Sequence, residues 1–316
     1  MTDLRALRLG TRRSPMAVAQ SLMVSRAITG RTGREVELVG IESAGDASRE
    51  LLTQIGGTGV FVSSLRASLL AGAVDLAVHS LKDLPTGEAA GIVLAAVPVR
   101  DDPRDALAAR DGAKLADLPP GAKVGTGSPR RAAQLLLLRP DIRPVPVRGN
   151  AGTRLAKVET GELDAVVLGH AGLARIGRLD AVSQVFDPDE MLPAPGQGAL
   201  AVECREGREE MVALLGSIDD ASSRAATTAE RSLLAGLQGG CAAPVGAYAA
   251  GTDILRLRGV VVSADGGMAL RGSASGAPEQ AHQIGRQLAA DLLARGAGDY
   301  MAVSGGHLSS SGDDDK

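Results

Sequence analysis

Along roughly the first two thirds of the chain, short apolar runs alternate with longer stretches whose apolar residues recur every third or fourth position. That alternation predicts buried strands joined by helices, an α/β class. Leu7 to Gly10 predicts a first strand. Ser14 and Pro15 then open a helix as N-cap and first-turn proline, with Val18, Leu22 and Ile28 on its apolar stripe and Gly30 as its close. Val36 to Ile41 predicts a second strand, a polar Gly-rich loop runs to Gly59, and a helix covers Val60 to Ala71. Leu76-Ala77-Val78 suits a strand buried on both faces; it stops at His79-Ser80, ahead of Lys82, Asp83 and Pro85. Ile92 to Val99 predicts another strand, and the charged, proline-bearing Arg100 to Arg104 predicts a hinge.

Beyond the hinge the alternation resumes: a strand at Val124, a helix over Ser128 to Leu138, a strand over Ile142 to Val147, a helix over Thr153 to Val158 and a strand over Leu163 to Leu168. MLPAPGQ (191–197) predicts a second crossing segment before a strand at Gly198 to Cys204. Past Asp219 the character changes. A helix over Arg224 to Leu237 leads into GGCAAPVG, followed by strands at Val245 to Ala249, Leu255 to Val262 and Met268 to Ser273 and a helix over Gln280 to Arg295. Strands followed by a helix predict a separate small α+β domain. Two internal echoes occur in the same order: GTRRSP (10–15) with GTGSP (125–129), and GAVDLAV (72–78) with GELDAVV (161–167). They predict two similar α/β lobes with a ligand cleft between them. The acidic end, SSSGDDDK, predicts a disordered tail.

Composition narrows the function classes. The apolar share of 44% is almost all aliphatic, with two Phe, two Tyr and no Trp, so stacking platforms for single-stranded nucleic acid are absent. With 34 basic against 37 acidic residues the net charge is −3, which disfavours a nucleic-acid partner. Cys204 and Cys241 alone cannot make a disulfide framework or a cysteine-rich zinc site, and the four histidines are scattered, so no metal is expected. No run suits a membrane span or a signal peptide, so a soluble cytoplasmic protein is expected.

In open α/β sheets ligands bind beyond the carboxyl ends of the strands. Asp83, with Lys82 beside it, therefore sits where an active carboxylate is expected; taken alone, the stretch also fits a solvated Lys-Asp turn. Arginines gather at helix starts and after strands: Arg12 and Arg13 before Ser14, Arg130 and Arg131 after Ser128, then Arg148, Arg154 and Arg175. Cations in a first helical turn oppose the macrodipole, a cost that makes sense for a ligand bearing several carboxylates, which arginine grips in a bidentate fork. Arg13 reads better as surface; Arg130, Arg131 and Arg148 read better as ligand-binding. GGTG (56–59) lacks the Lys-Ser/Thr of a phosphate loop, and GQGALA (196–201) follows PAP and precedes a strand, so neither indicates a nucleotide site. Cys241, on a Gly-Gly turn, fits a nucleophilic thiol or a small buried apolar residue equally; Cys204 lies inside an apolar strand and reads as core.

Seven stretches, in order, resemble the porphobilinogen deaminase (hydroxymethylbilane synthase) family: TRRSPMAVAQ, AVHSLKDLPT, RDDPRDAL, GTGSPRRAAQL, VRGNAGTRL, LPAPGQGALAVECR and AERSLLAGLQGGCAAPVGAY. The resemblance runs from Leu7 to the last helix. It implies two periplasmic-binding-protein-like lobes plus a small α+β C-terminal domain. Domain 1 would cover 1–99, completed by 198–217; domain 2 would cover 104–193 and domain 3 would cover 220–303, with a tail over 304–316. It also implies a dipyrromethane cofactor joined as a thioether to Cys241. On that cofactor four porphobilinogen molecules condense head to tail with loss of ammonia, before water releases hydroxymethylbilane. Each pyrrole carries an acetate and a propionate, which gives the arginines a purpose. By this likeness Arg12, Ser14, Arg148, Arg154, Arg175 and Gln197 bind substrate, and Arg130, Arg131, Ser128, Lys82 and Asp83 bind the cofactor. Asp83 and Lys82 are then catalytic, Asp83 stabilising the cation left as ammonia departs. The family likeness further implies a cytoplasmic monomer that passes its product to uroporphyrinogen-III synthase, with no nucleic-acid or membrane partner. Thr58 and Ser63 stand where, or near where, many relatives carry lysine, and Gly127 where many carry serine. A non-catalytic two-lobed anion-binding or effector-sensing protein would share the lobes and arginines, yet would need neither Asp83 nor a third domain offering Cys241.

Overall fold

The computed structural model describes residues 5–41, 59–240 and 243–302. The Gly-rich loop up to Thr58, Cys241 and the acidic tail lie outside those residues.

Within the described residues the apolar runs assemble into two five-stranded sheets and one three-stranded sheet. The first sheet holds β1 (Leu7–Thr11), β2 (Val36–Gly40), β3 (Leu76–Ser80), β4 (Ile92–Ala96) and β10 (Leu200–Arg205), in the order β2-β1-β3-β10-β4. The second holds β5 (Asp105–Ala109), β6 (Lys123–Thr126), β7 (Arg143–Pro146), β8 (Ala165–Gly169) and β9 (Gln184–Val185), in the order β7-β6-β8-β5-β9. The two orders superimpose. In each, three parallel strands are followed by one antiparallel strand delivered by a crossover from the other lobe: β10 beside β3, and β5 beside β8. The two sequence echoes fall at equivalent places, after β1 and β6 and ahead of β3 and β8.

Local chemistry explains the helix limits. In α1 (Pro15–Thr32) the Ser14 hydroxyl accepts from the Ala17 N–H at 3.3 Å. The helix runs past Gly30 and stops at Gly33, whose φ of 70° is the left-handed cap that glycine takes without a Cβ clash. Next come α2 (Gly59–Leu70), α3 (Pro129–Leu138), capped by Ser128, and α4 (Ala151–Glu159). α4 begins ahead of the expected Thr153 because Asn150 accepts from the Thr153 N–H at 2.9 Å. α5 (His170–Arg175) follows β8 directly, and α6 (Glu209–Gly216) follows β10. β4 ends at Ala96 rather than at Val99. The Val97 N–H is taken by the Asp219 carboxylate at 2.7 Å, and Pro98 has no N–H to give a ladder. Residues 97–104 thereby become the first crossover and residues 191–199 the second.

The third body packs α7 (Ala221–Gly236) and α8 (Ala281–Ala294), with the short α9 (Ala297–Ala302), on the antiparallel sheet β11 (Val245–Ala250), β12 (Leu255–Val262) and β13 (Ala269–Gly276). Its buried core is Leu, Val, Ile and Ala, as are most of those of the lobes, with Cys204 and Met211 as exceptions in the first lobe and Phe186 and Met191 in the second. No helix among the described residues is long and apolar enough to cross a membrane.

Candidate active site

β3 ends at Ser80, whose hydroxyl accepts from Gln20 of α1 at 2.8 Å. A single 3-10 turn, Leu81–Asp83, follows. Leu81 is buried and its N–H is held by the Ala199 carbonyl at 3.0 Å, so the turn is anchored to the second crossover. Lys82 and Asp83 are left half-buried at the carboxyl end of the strand.

Facing them is the start of α3. Arg130 and Arg131 are both buried, and between them lies Asp105, the first residue of β5, with no exposed surface. Asp105 accepts from Arg130 Nη1 at 2.7 Å, Arg131 Nε at 2.9 Å and Gln197 Nε2 at 2.8 Å. Burial alone would raise the Asp105 carboxyl, but the two guanidiniums hold it well below the usual carboxylate range. Arg130 also donates to the Leu192 carbonyl at 2.7 Å, and Arg131 to that of Val167 at 3.2 Å.

Gln197 joins the two sides. Its Oε1 accepts from Lys82 Nζ and from Arg131 Nη2, each at 3.2 Å, while Nε2 donates to the Pro103 carbonyl at 2.7 Å. One neutral amide thus holds a cation from each lobe at a shared oxygen. Burial, then the nearby Arg131, lowers Lys82 from 10.5 to about 8. Arg154 is half-buried, and burial followed by Arg131 lowers it as well. Lys82, Arg130, Arg131 and Arg154 share this region with the carboxylates of Asp83 and Asp105. The surplus positive charge suits a polyanionic ligand.

The remaining expected site residues are placed differently. Arg12 and Ser14, both half-buried, lie at the start of α1, and Ser128, also half-buried, caps α3 through a 3.4 Å contact from Arg131 N–H. Arg148 is exposed just past β7. Arg175 is bound into the crossovers, donating to Asp101 at 2.9 Å and to the Gly198 carbonyl at 2.6 Å. Gln197 is buried with its amide occupied by protein groups. Cys241 lies outside the described residues, whereas Cys204 is buried inside β10 with its thiol pushed up by burial. Asp105 and Asp101 escaped the sequence reading. Both sit in RDDPRDAL, which reads as a hinge, and nothing local marks either as the partner of a distant arginine. No cluster of three or more His, Cys, Asp or Glu suited to a metal occurs among the described residues.

Comparison with known proteins gives a consistent picture. Residues 7–213 match the family model described as porphobilinogen deaminase, dipyromethane cofactor binding domain, and residues 225–294 match the porphobilinogen deaminase C-terminal domain. Porphobilinogen deaminase of Thermobifida fusca is 61% identical, covering 93% of this chain and 95% of the relative. Porphobilinogen deaminase 1 of Streptomyces coelicolor is 54% identical over 95% of this chain and 98% of the relative. Similar solved structures include the methionine-binding protein MetQ (TM-score 0.44, 13% identity, 68% of this chain and 90% of that one). Another is the periplasmic VFT2 domain of BvgS from Bordetella pertussis (TM-score 0.42, 18% identity, 69% and 88%). With more than half of its length matched by one family model and near-complete relatives above half identity, the chain belongs to the porphobilinogen deaminase family.

Proposed function

We propose that this chain is a hydroxymethylbilane-forming transferase, which condenses four porphobilinogen molecules head to tail, releases ammonia at each step and finally hydrolyses the tetrapyrrole free. The arrangement that supports this most directly is the Lys82–Asp83 turn set opposite the Arg131–Gln197–Asp105 cluster, with cations in excess. The donor set fits a dipyrromethane, whose acetates and propionates call for guanidinium and ammonium groups. Arg130, Arg131, Ser128, Lys82 and Asp83 would hold it, and Cys241 would carry the thioether. Bound there, the cofactor supplies the pyrrole α-carbon on which the chain is extended.

The residues of this chain then divide the work. Arg12, Ser14, Arg148, Arg154 and Arg175 orient the carboxylates of the incoming pyrrole, an entropic gain that positions the reacting carbons. Gln197 keeps Lys82 and Arg131 at one spacing. Asp83 stabilises the cation left on the substrate methylene when ammonia leaves, in a site shielded from water. It also takes up the proton lost by the attacked ring carbon. Domain 1 (1–99 with 198–217), domain 2 (104–193) and domain 3 (220–303) are the units that carry these roles. The proposal extends to a cytoplasmic monomer feeding uroporphyrinogen-III synthase.

Intact mass tests the proposal. The wild type should exceed its sequence mass by two pyrrole units and gain single-unit steps on brief exposure to porphobilinogen. Cys241→Ser should lack both, Cys204→Ser should keep both, and Asp83→Asn should keep the cofactor mass while releasing ammonia at least about a hundredfold more slowly. An active wild type with unmodified Cys241 would overturn the assignment. A folded wild type that binds polycarboxylates but releases no ammonia would instead make it the two-lobed binding protein.

A further inference from the structure

The third body meets the two sides of the site at consecutive residues of α7. Glu230 has no exposed surface. Its carboxylate accepts from Arg100 Nη1 at 2.7 Å and Nη2 at 2.8 Å in the first crossover, from the Gly196 N–H at 2.8 Å in the second, and from the Ala249 N–H at 2.9 Å in β11. Arg100 continues the chain of contacts, donating from Nε to the Gln197 carbonyl at 2.8 Å and from its N–H to Ser223 Oγ at 2.9 Å. One carboxylate therefore ties both crossovers to α7 and fixes the backbone from which the Gln197 amide projects.

Arg231 is turned about 100° around the helix from Glu230, and it reaches the other side of the site. Its Nη1 donates to the carbonyls of Leu81 at 3.1 Å and Leu84 at 2.9 Å, and its Nη2 to that of Pro85 at 2.7 Å. These carbonyls flank Lys82 and Asp83. The turn is also held through Leu81 N–H, the Leu84 N–H bond to the Leu81 carbonyl at 3.2 Å and the Lys82 Nζ bond to Gln197 Oε1 at 3.2 Å. Without the guanidinium, the outer carbonyls would turn to water and the Asp83 end of the turn could pivot about Leu81.

We propose that Glu230 and Arg231 are positioning residues for the reaction. Glu230 sets Gln197, and through it the spacing of Lys82 from Arg131; Arg231 sets the turn that presents Asp83. A buried Arg-Glu pair is weak evidence of net stability, whereas its placement against the backbone at Gln197 gives it a use in the site. α7 also ends at Gly236, just ahead of Gly239-Gly240-Cys241, so the helix leading to the thiol grips both walls of the gap.

The inference rests on the deaminase reading, and the test separates the two. Glu230→Gln, Arg231→Lys and Arg100→Lys are purified with cofactor, loading is measured by intact mass, and kcat, KM, pH profile, melting temperature and hydrogen exchange are recorded. Arg231→Lys offers its donors from a single nitrogen and loses the planar fork whose two nitrogens span Leu81, Leu84 and Pro85. It should lower kcat about ten- to hundredfold with KM within about twofold, and should speed exchange in the 80–86 peptide without changing the 196–204 peptide. Glu230→Gln and Arg100→Lys should instead raise KM about tenfold and move the alkaline limb of the profile upward as Lys82 parts from Arg131. Arg100→Lys keeps the charge pair, so it carries this arm if Glu230→Gln does not fold. Lower melting temperatures with wild-type kcat, KM and pH limb per loaded molecule would show two merely structural contacts and overturn the inference. A wild type that releases no ammonia would overturn the deaminase reading instead.

Discussion

Asp105 answers two guanidiniums at once, and Gln197 adds a third hydrogen bond without adding charge. Using an amide where a second carboxylate would fit leaves the cluster cationic, and Lys82 feels that directly. Its lowering to about 8 comes first from burial and next from Arg131. Below that pH the ammonium is available to carboxylates; above it the charge is lost. The rate profile in kcat/KM should therefore fall across about pH 8, and Lys82→Arg should push that limb upward, because a guanidinium stays charged. The stability effect has the opposite sense. Between about 8 and 10.5 the unfolded lysine binds a proton that the folded one has lost, so the contribution of Lys82 to stability grows with pH while activity declines. A limb that stays put in Lys82→Arg would assign the titration to another group.

At the scale of elements, each lobe is completed by a strand that the other lobe delivers, so the crossovers determine the geometry of the gap. They pass close to each other at Gly198. Its φ is 86°, and a Cβ there would lie 2.5 Å from the Asp101 carbonyl. Arg175 donates to the Gly198 carbonyl and to Asp101, so both strands of the hinge meet α5 at the same point. Gly198→Ala should force the crossovers apart, costing at least about 1 kcal/mol from the backbone conformation alone. It should also lower kcat/KM more than the melting temperature suggests. Chemical denaturation and steady-state rates on the same preparation would check this; a loss of stability with unchanged kcat/KM per folded molecule would separate the hinge from the site.

Across the whole molecule, buried carboxylates sit where arginines join distant parts of the chain. Asp75 is held by Arg5 and Arg8, Asp105 by Arg130 and Arg131, and Glu203 of β10 by Arg66 of α2 with His79 of β3 alongside. Burial would raise each carboxyl, but the partners win: Glu203 falls from 4.5 to about 2, and Asp75 and Asp105 lie well below the usual range. A depressed folded value means stability that is complete above the ordinary carboxylate range and is lost as pH falls through the folded values. Unfolding free energy should be nearly flat between about pH 5 and 7 and drop steeply below about pH 4, with a shallower drop in Glu203→Gln. Urea titrations between about pH 2 and 6 would measure both slopes, and equal slopes would remove Glu203 from the account.

The sequence by itself determined what depends on near neighbours. The period of its apolar residues specified alternating strands and helices, Ser14 and Ser128 specified helix starts, and the paired echoes specified two lobes of one topology. The place of Asp83 was legible for the same reason, because a carboxylate just after a buried strand needs only local context. Tertiary structure decided the partners. Arg130 meets Asp105 across 25 residues, Arg131 meets Gln197 across 66 and Arg231 meets Leu81 across 150. No local pattern encodes such pairings, since any carboxylate or carbonyl of suitable reach could satisfy an arginine. β5 hid behind the hinge for a related reason: DALAA is too short to declare a strand until β8 and β9 flank it. A buried charge must find a counter-charge or hydrogen bonds, but which group arrives is set by the path of the two crossovers, which exists only once the lobes have packed.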